Sequence, residues 1–239
     1  MYRQVRPHPA LQPYIDAYWI SRSAVASSTR ILPDGCVDII LNAGADCGSA
    51  SEAVRNGKIY LIGTMTRAKT AEMAAESLLI GVRFKPAAFS VFYRFTSLDQ
   101  VTDLTLELDS GFAFDLKELR RDLQGYLNRY FLGRLVRPRH QLFPVLADME
   151  HHGGQMRMAD LASRHCTTVR QLERGFRQHV GIGPKAFMNL LRFRSVLPAL
   201  QDRPEGSSLQ ALAFEHGYYD HAHLSAEIRR FTGLPPTRL

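Results

Sequence analysis

The chain of 239 residues carries 30 Lys and Arg against 23 Asp and Glu, with 45% hydrophobic and 22% charged side chains. That composition excludes disordered and fibrous classes and fits one large domain or two small ones, of which two is the expectation. No apolar run approaches the roughly 18 residues that cross a bilayer, and MYRQVRPHPALQPYIDAYW lacks a secretory pattern, so a cytoplasmic protein with no membrane partner is expected.

Residues 13–110 read as short extended runs, TRILPDGCVDIILNAG, GKIYLIGTMT and AESLLIGVRF, with β-branched and apolar clusters bounded by Gly, Pro, Asn and Asp. They predict a small sheet or barrel. Pro86, at the start of KPAAFSVFYRF, suits the first turn of a short helix with Phe89 and Phe92 or Tyr93 on one side. From Asp115, an N-cap by type, the apolar positions Leu116, Leu119, Leu123, Tyr126, Leu127 and Tyr130 recur at three and four, and helices continue to the end. GRLVRPR (133–139) and HHGG (151–154) mark a seam. The fold class expected is α+β: a β-rich, barrel-like domain with a helical end over 1–132, a linker and first C-terminal helix over 133–153, and an all-α domain over 154–239.

The net charge of +7 is concentrated along the chain. Residues 154–194 hold eight basic and two acidic side chains, so six of the seven excess charges lie there; residues 195–239 hold four and five. A polyanion partner fits this concentration, and so does a solvated basic face.

The C-terminal part repeats itself at a shift of 52 residues, pairing Thr168 with Asp220, Leu172 with Leu224, Phe176 with Ile228, Arg177 with Arg229, Gly181 with Gly233 and Pro184 with Pro236. Just upstream the shift is 51, pairing Leu161, Ala162 and His165 with Leu212, Ala213 and His216. Each copy reads as helix, tight turn, helix. Thr168 and Asp220 are N-cap types and Gly181 and Gly233 are terminators, so the second helices span about 169–180 and 221–231. At about 100° per residue, Val169, Leu172, Phe176 and Val180 form one face, and Arg170, Arg174 and Arg177 an adjoining stripe that Gln171 and Gln178 extend. Such a helix can enter a DNA major groove, with Arg donating to guanine, Gln pairing with adenine and the remaining groups holding phosphates.

These residues resemble the AraC/XylS-type DNA-binding domain. MADLASRHCTTVRQLERGFRQHVGIGPKAFMNLLRFRSVL is similar to its first half with the linker helix, and LQALAFEHGYYDHAHLSAEIRRFTGLPP to its second. RILPDGCVDIILN and GVRFKPAAF resemble an uncharacterised sensor-type domain that precedes such regulators. The resemblance implies two helix-turn-helix units joined by a helix near 184–200, and base contacts from Arg170, Gln171, Glu173 and Arg174. In the second unit the matching positions are Ala222, His223, Ser225 and Ala226. Ala226 stands where the family often carries an Arg, which leaves Arg229 and Arg230 for phosphates and His221 or His223 as donors. Pro198 should kink that linker helix or end it early.

Enzyme readings fare worse. His221-x-His223-x-x-x-Glu227 copies a metal-ligand string of cupin strands, but on a helix the two histidines point about 200° apart. Residues 1–132 hold a single histidine, His8, too few for a multi-histidine triad. Cys36, Cys47 and Cys166 are odd in number without CxxC spacing, and read as reduced thiols. No metal, cofactor or catalytic residue is therefore assigned. Trp19, Cys36, Asp38 and Arg83 stand as effector-site candidates, with Tyr14 and Tyr18 beside them, and all fit core packing or surface pairing equally. The expectation is a DNA-binding transcription regulator with double-stranded DNA as partner, a small-molecule effector, RNA polymerase as a further partner the class allows, and a monomeric or homodimeric state. The alternative is a small-molecule-binding or stress-responsive protein with only weak, nonspecific DNA affinity.

Overall fold

The computed structural model describes residues 1–48, 52–112, 114–202 and 208–238. Its N-terminal half contains β1 (Tyr2–Val5), β2 (Ile15–Ser23), β3 (Ser27–Ile31), β4 (Val37–Asn42), β5 (Ile59–Ile62), β6 (Lys69–Met73), β7 (Ser77–Phe84) and β8 (Thr105–Glu107). Six form an antiparallel sheet in the order β1-β2-β7-β4-β5-β8, and β3 pairs with β6 as a separate ribbon. Alternation along each strand divides the sheet into two faces. Tyr18, Ile39, Val82 and Phe84 point into a core filled by Phe89, Phe92 and Phe131, in which the Phe84 and Phe131 rings meet edge-on at 5.6 Å. Trp19 lies on the other face, opposite Gly81, whose missing side chain makes room for the indole.

The helix expected at Pro86 is only a 3-10 turn, Ala88–Val91. Ala87 before it adopts a left-handed backbone (φ 64), which no α-helix can include. The periodic stretch after Asp115 divides into α1 (Leu116–Arg121) and α2 (Leu123–Leu132). Asp122 causes the break: its extended backbone ends α1, and its side chain accepts from Gly125 N at 2.9 Å to cap α2.

The C-terminal half follows a linker with α3 (Leu142–His151), α4 (Met158–Arg164), α5 (Val169–Val180), α6 (Pro184–Gln201), α7 (Leu209–Glu215) and α8 (His221–Thr232). The sequence repeat is also a hydrogen-bond repeat. Thr168 caps α5 by accepting from Gln171 N, and Asp220 caps α8 by accepting from His223 N. Thr167 N donates to Ala162 O and Tyr218 N to Ala213 O, which makes the same turn in both units. Leu172 and Phe176 in α5, and Leu224 and Ile228 in α8, are all buried in one cluster floored by Phe187 and Phe193 of α6. Gly181 and Gly233 end the two helices in left-handed conformation. α6 continues past Pro198 to Gln201, so the proline does not end the helix early, although it has no N–H to donate to the carbonyl of Arg194.

The halves meet at the carboxyl ends of both second helices, where backbone carbonyls have no partner within the helix. Thr64 Oγ1 donates to Val180 O (2.5 Å) and Thr102 Oγ1 to Gly181 O (2.7 Å) at the end of α5. At the end of α8, Ala68 N donates to Phe231 O (2.7 Å) and Arg30 to Thr232 O (3.2 Å). The segment between β5 and β6 therefore touches both helices. α6 is engaged as well, through Arg194 donating to Asp34 O (3.0 Å) and Phe187 packing on Gly35.

Candidate nucleic-acid interface

α5 exists because its sequence supplies a start, a stop and a greasy flank. Thr168 and Gln171 form a reciprocal capping box, an arrangement of about 1 kcal/mol, while Leu172, Phe176 and Val180 are buried. The flank's burial fixes where the rest must point: Arg170, Arg174, Arg177 and Gln178 are exposed. Glu173 is half-buried and lies 3.8 Å from Arg177, so it draws that guanidinium back along the helix. Gln171 is exposed, but its Oε1 accepts from Thr168 N (3.0 Å) and from two threonine hydroxyls, so its carbonyl is committed to the cap. Arg170 and Arg174 are thus exposed donors of this helix that form no ion pair among the described residues.

α8 offers a different surface. His221, Ala222, His223, Ala226, Arg229 and Arg230 are exposed and Ser225 is half-buried. Local bonds occupy both histidines: His221 Nδ1 lies 2.8 Å from Gln210 Oε1, and His223 Nδ1 accepts from Tyr219 N at 3.4 Å. Arg230 pairs with the buried Glu227 at 3.2 Å. That pairing also takes Glu227 away from the histidines, and among the described residues no three His, Cys, Asp or Glu side chains gather to hold a metal. Cations appear in α8 only in its last turn, the region closest to the N-terminal half.

Both second helices abut the N-terminal half at their carboxyl ends, so both direct their amino ends away from it. Three further cations, Arg157, Lys185 and Arg192, line an open pocket of about 370 Å³ where α4, α6 and the Gly217 turn meet. Reading the second helices alone passes over them; the crowding of charge into 154–194 was their signal in the sequence.

The four effector candidates also come together. The β4–β7 register sets Asp38 opposite Arg83. Trp19 Nε1 donates to Asp38 Oδ1 at 2.6 Å, and Arg83 Nε lies 3.6 Å from Asp38 Oδ2 and 3.5 Å from Asp34 Oδ2. Cys36 sits beside the two carboxylates, and burial together with these charges pushes its thiol well above its ordinary pKa, so it stays protonated. Tyr14 and Tyr18 belong to the aromatic core on the opposite face. Burial pushes the Asp38 carboxyl up to about 6 and outweighs Arg83 and the indole N–H, which favour its charge. In the unfolded chain this group loses its proton near pH 4. Folding therefore takes up a proton between about pH 4 and 6, and the stabilisation is complete below that window and lost as pH rises through it. Asp38→Asn should abolish this dependence, so denaturation midpoints of the variant and the parent should diverge across the window; parallel curves would contradict the assignment.

Paired, similarly capped helix–turn–helix units around one connecting helix define a tandem helix-turn-helix protein. Residues 161–239, a third of the chain, match the family described as a helix-turn-helix domain, of the AraC type. Residues 3–107 match a domain of unknown function (DUF6597). No curated protein sequence matches the chain. Among solved structures, ToxT from Vibrio cholerae aligns at 8% identity and TM-score 0.49, over 99% of this chain and 97% of that one. The apo form of a ToxT point variant, from strain SCE256, gives 8% and 0.49 over 92% and 96%. Wild-type ToxT of that strain with unsaturated fatty acid bound gives 10% and 0.44 over 92% of each chain. No described helix is long and apolar enough to cross a membrane.

Proposed function

We propose that the protein is a sequence-specific transcription regulator that reads adjacent major-groove segments of one DNA face, mainly through α5. The observation that carries this is the exposed Arg170–Arg174 stripe on a helix whose amino end points away from the N-terminal half. Arginine offers the bidentate fork that guanine edges accept, whereas the alanines of α8 offer nothing comparable. In this reading residues 1–132 are the sensor, 133–153 connect it through α3, and 154–239 bind DNA. The Trp19–Asp38–Arg83 group is the effector site. A ligand there that changes how Arg83 divides between Asp38 and Asp34 would move the Asp34 carbonyl, which holds Arg194 of α6, and so bias the domain that binds DNA.

Gel-shift titration against genomic fragments at several salt concentrations tests the proposal. Specific readout keeps a preference on the order of a thousandfold or more, whereas the weak, nonspecific alternative falls steeply with salt and gains little from any site. Arg229→Ala should weaken all sequences alike and lower the slope of log K against log salt by about 1. A base-specific effect there would refute its assignment to phosphate.

A further inference from the structure

We propose that the pocket between the two helix-turn-helix units binds one phosphodiester of the DNA backbone, on the stretch of strand that passes from one groove segment to the next. This rests on the DNA-binding reading above. Each part of the repeat contributes a wall: Gln155 and Arg157 lead into α4 of the first unit, Gly217 belongs to the turn of the second, and Lys185, Asn189 and Arg192 of α6 form the floor. The lining contains three cationic side chains and two amides and no carboxylate. An anion is the ligand such a surface selects.

The floor is already organised. Arg192 donates from one terminal nitrogen to Gly217 O (2.9 Å) and from the other to Asn189 Oδ1 (2.6 Å), while its buried Nε has no hydrogen-bond partner. With Asn189 Oδ1 thus engaged, its amide N–H groups remain as donors. The guanidinium is therefore held in place by the second unit before any ligand arrives. Lys185 and Arg157, both exposed, supply mobile charge at the rim.

Location identifies the ligand's source. At about 100° per residue, Phe187, Leu190 and Arg194 fall on one side of α6, the side that meets Gly35 and Asp34 of the N-terminal half. Lys185, Asn189 and Arg192 fall on the opposite side. The pocket thus opens away from the N-terminal half, as do the amino ends of α5 and α8. A duplex held by both helices would run its backbone across this pocket, where a phosphate contact sets register without reading sequence.

The test uses the full chain and a selected operator. In Arg157→Gln/Lys185→Gln the salt slope should fall by about 2, with the order of preferred sequences kept. Arg192 is left intact because it also holds α6 to the turn of the second unit. A single neutral methylphosphonate placed between the half-sites should weaken binding of the parent protein, and should weaken the double variant less at that same position. A parent that binds its operator, with variants of unchanged salt slope or unchanged methylphosphonate sensitivity at every position, would overturn the proposal. So would a DNA-free titration in which inorganic phosphate binds the parent and not the variant while the DNA slope stays the same, since the pocket would then serve a free phosphorylated ligand. If the parent itself shows no specific binding, the failure lies in the DNA reading and the proposal falls with it.

Discussion

Phe176→Ala should cost about 3–5 kcal/mol of folding stability, the usual range for emptying a fully buried phenylalanine site. The side chain is wholly buried at the centre of α5, with its ring 5.8 Å from that of Phe187 on α6. Leu142 of α3, Leu161 of α4 and Leu172 of α5 belong to the same cluster, so no single helix can move inward to close the gap. Ala87 of the N-terminal half joins this cluster too, and the loss should spread across the contact between the halves. Chemical denaturation measures it directly, and Ile228→Val, at the matching position of the second unit, serves as a mild comparison of about 0.5–1.5 kcal/mol. A midpoint unchanged by the phenylalanine truncation would mean that α5 does not pack as described.

Arg174→Ala should weaken binding at the preferred site by about 1–3 kcal/mol, roughly 5- to 150-fold, and relax preference at one base pair. Arg174 is exposed about one turn beyond the capping box, away from the buried flank of α5, and Arg170 precedes it by one turn. Loss of either guanidinium leaves the helix itself intact, because the flank and the cap carry its stability. The effect should therefore appear in a site-preference profile and not in a melting curve. A profile unchanged in shape, with affinity merely scaled down, would reassign Arg174 to the backbone.

The C-terminal half was legible in the sequence for a local reason. Caps, terminators and buried positions recur at fixed spacing, and each acts within a turn or two of itself, so Thr168, Asp220, Gly181 and Gly233 announce the helix ends that the structure contains. The N-terminal half was legible only as strands. Its order, β1-β2-β7-β4-β5-β8, depends on long-range pairings of β2 with β7, β4 with β7 and β5 with β8, which periodicity cannot encode. For the same reason Trp19, Cys36, Asp38 and Arg83 could be picked by type but not joined, since only the β4–β7 register sets Asp38 across from Arg83. Ala87 escaped notice because nothing in KPAAF marks an alanine for a left-handed backbone. Thr64, Thr102 and Ala68 escaped because they donate to backbone carbonyls, and a carbonyl has no letter in the sequence.

Those last bonds bear on the geometry of the target. Thr64 and Ala68 sit four residues apart in one short connection and hold the ends of α5 and α8, so both helices are tied to one segment of the N-terminal half. B-form DNA turns once in about 10–10.5 base pairs, so each added pair swings one half-site around the axis by about 35° relative to the other. On the proposed reading, helices tied to one segment would favour operators whose half-sites keep a fixed helical phase. Loosening that tie at residues 63–69 would, on the same reading, widen the set of spacings tolerated while leaving the exposed face of α5 unchanged.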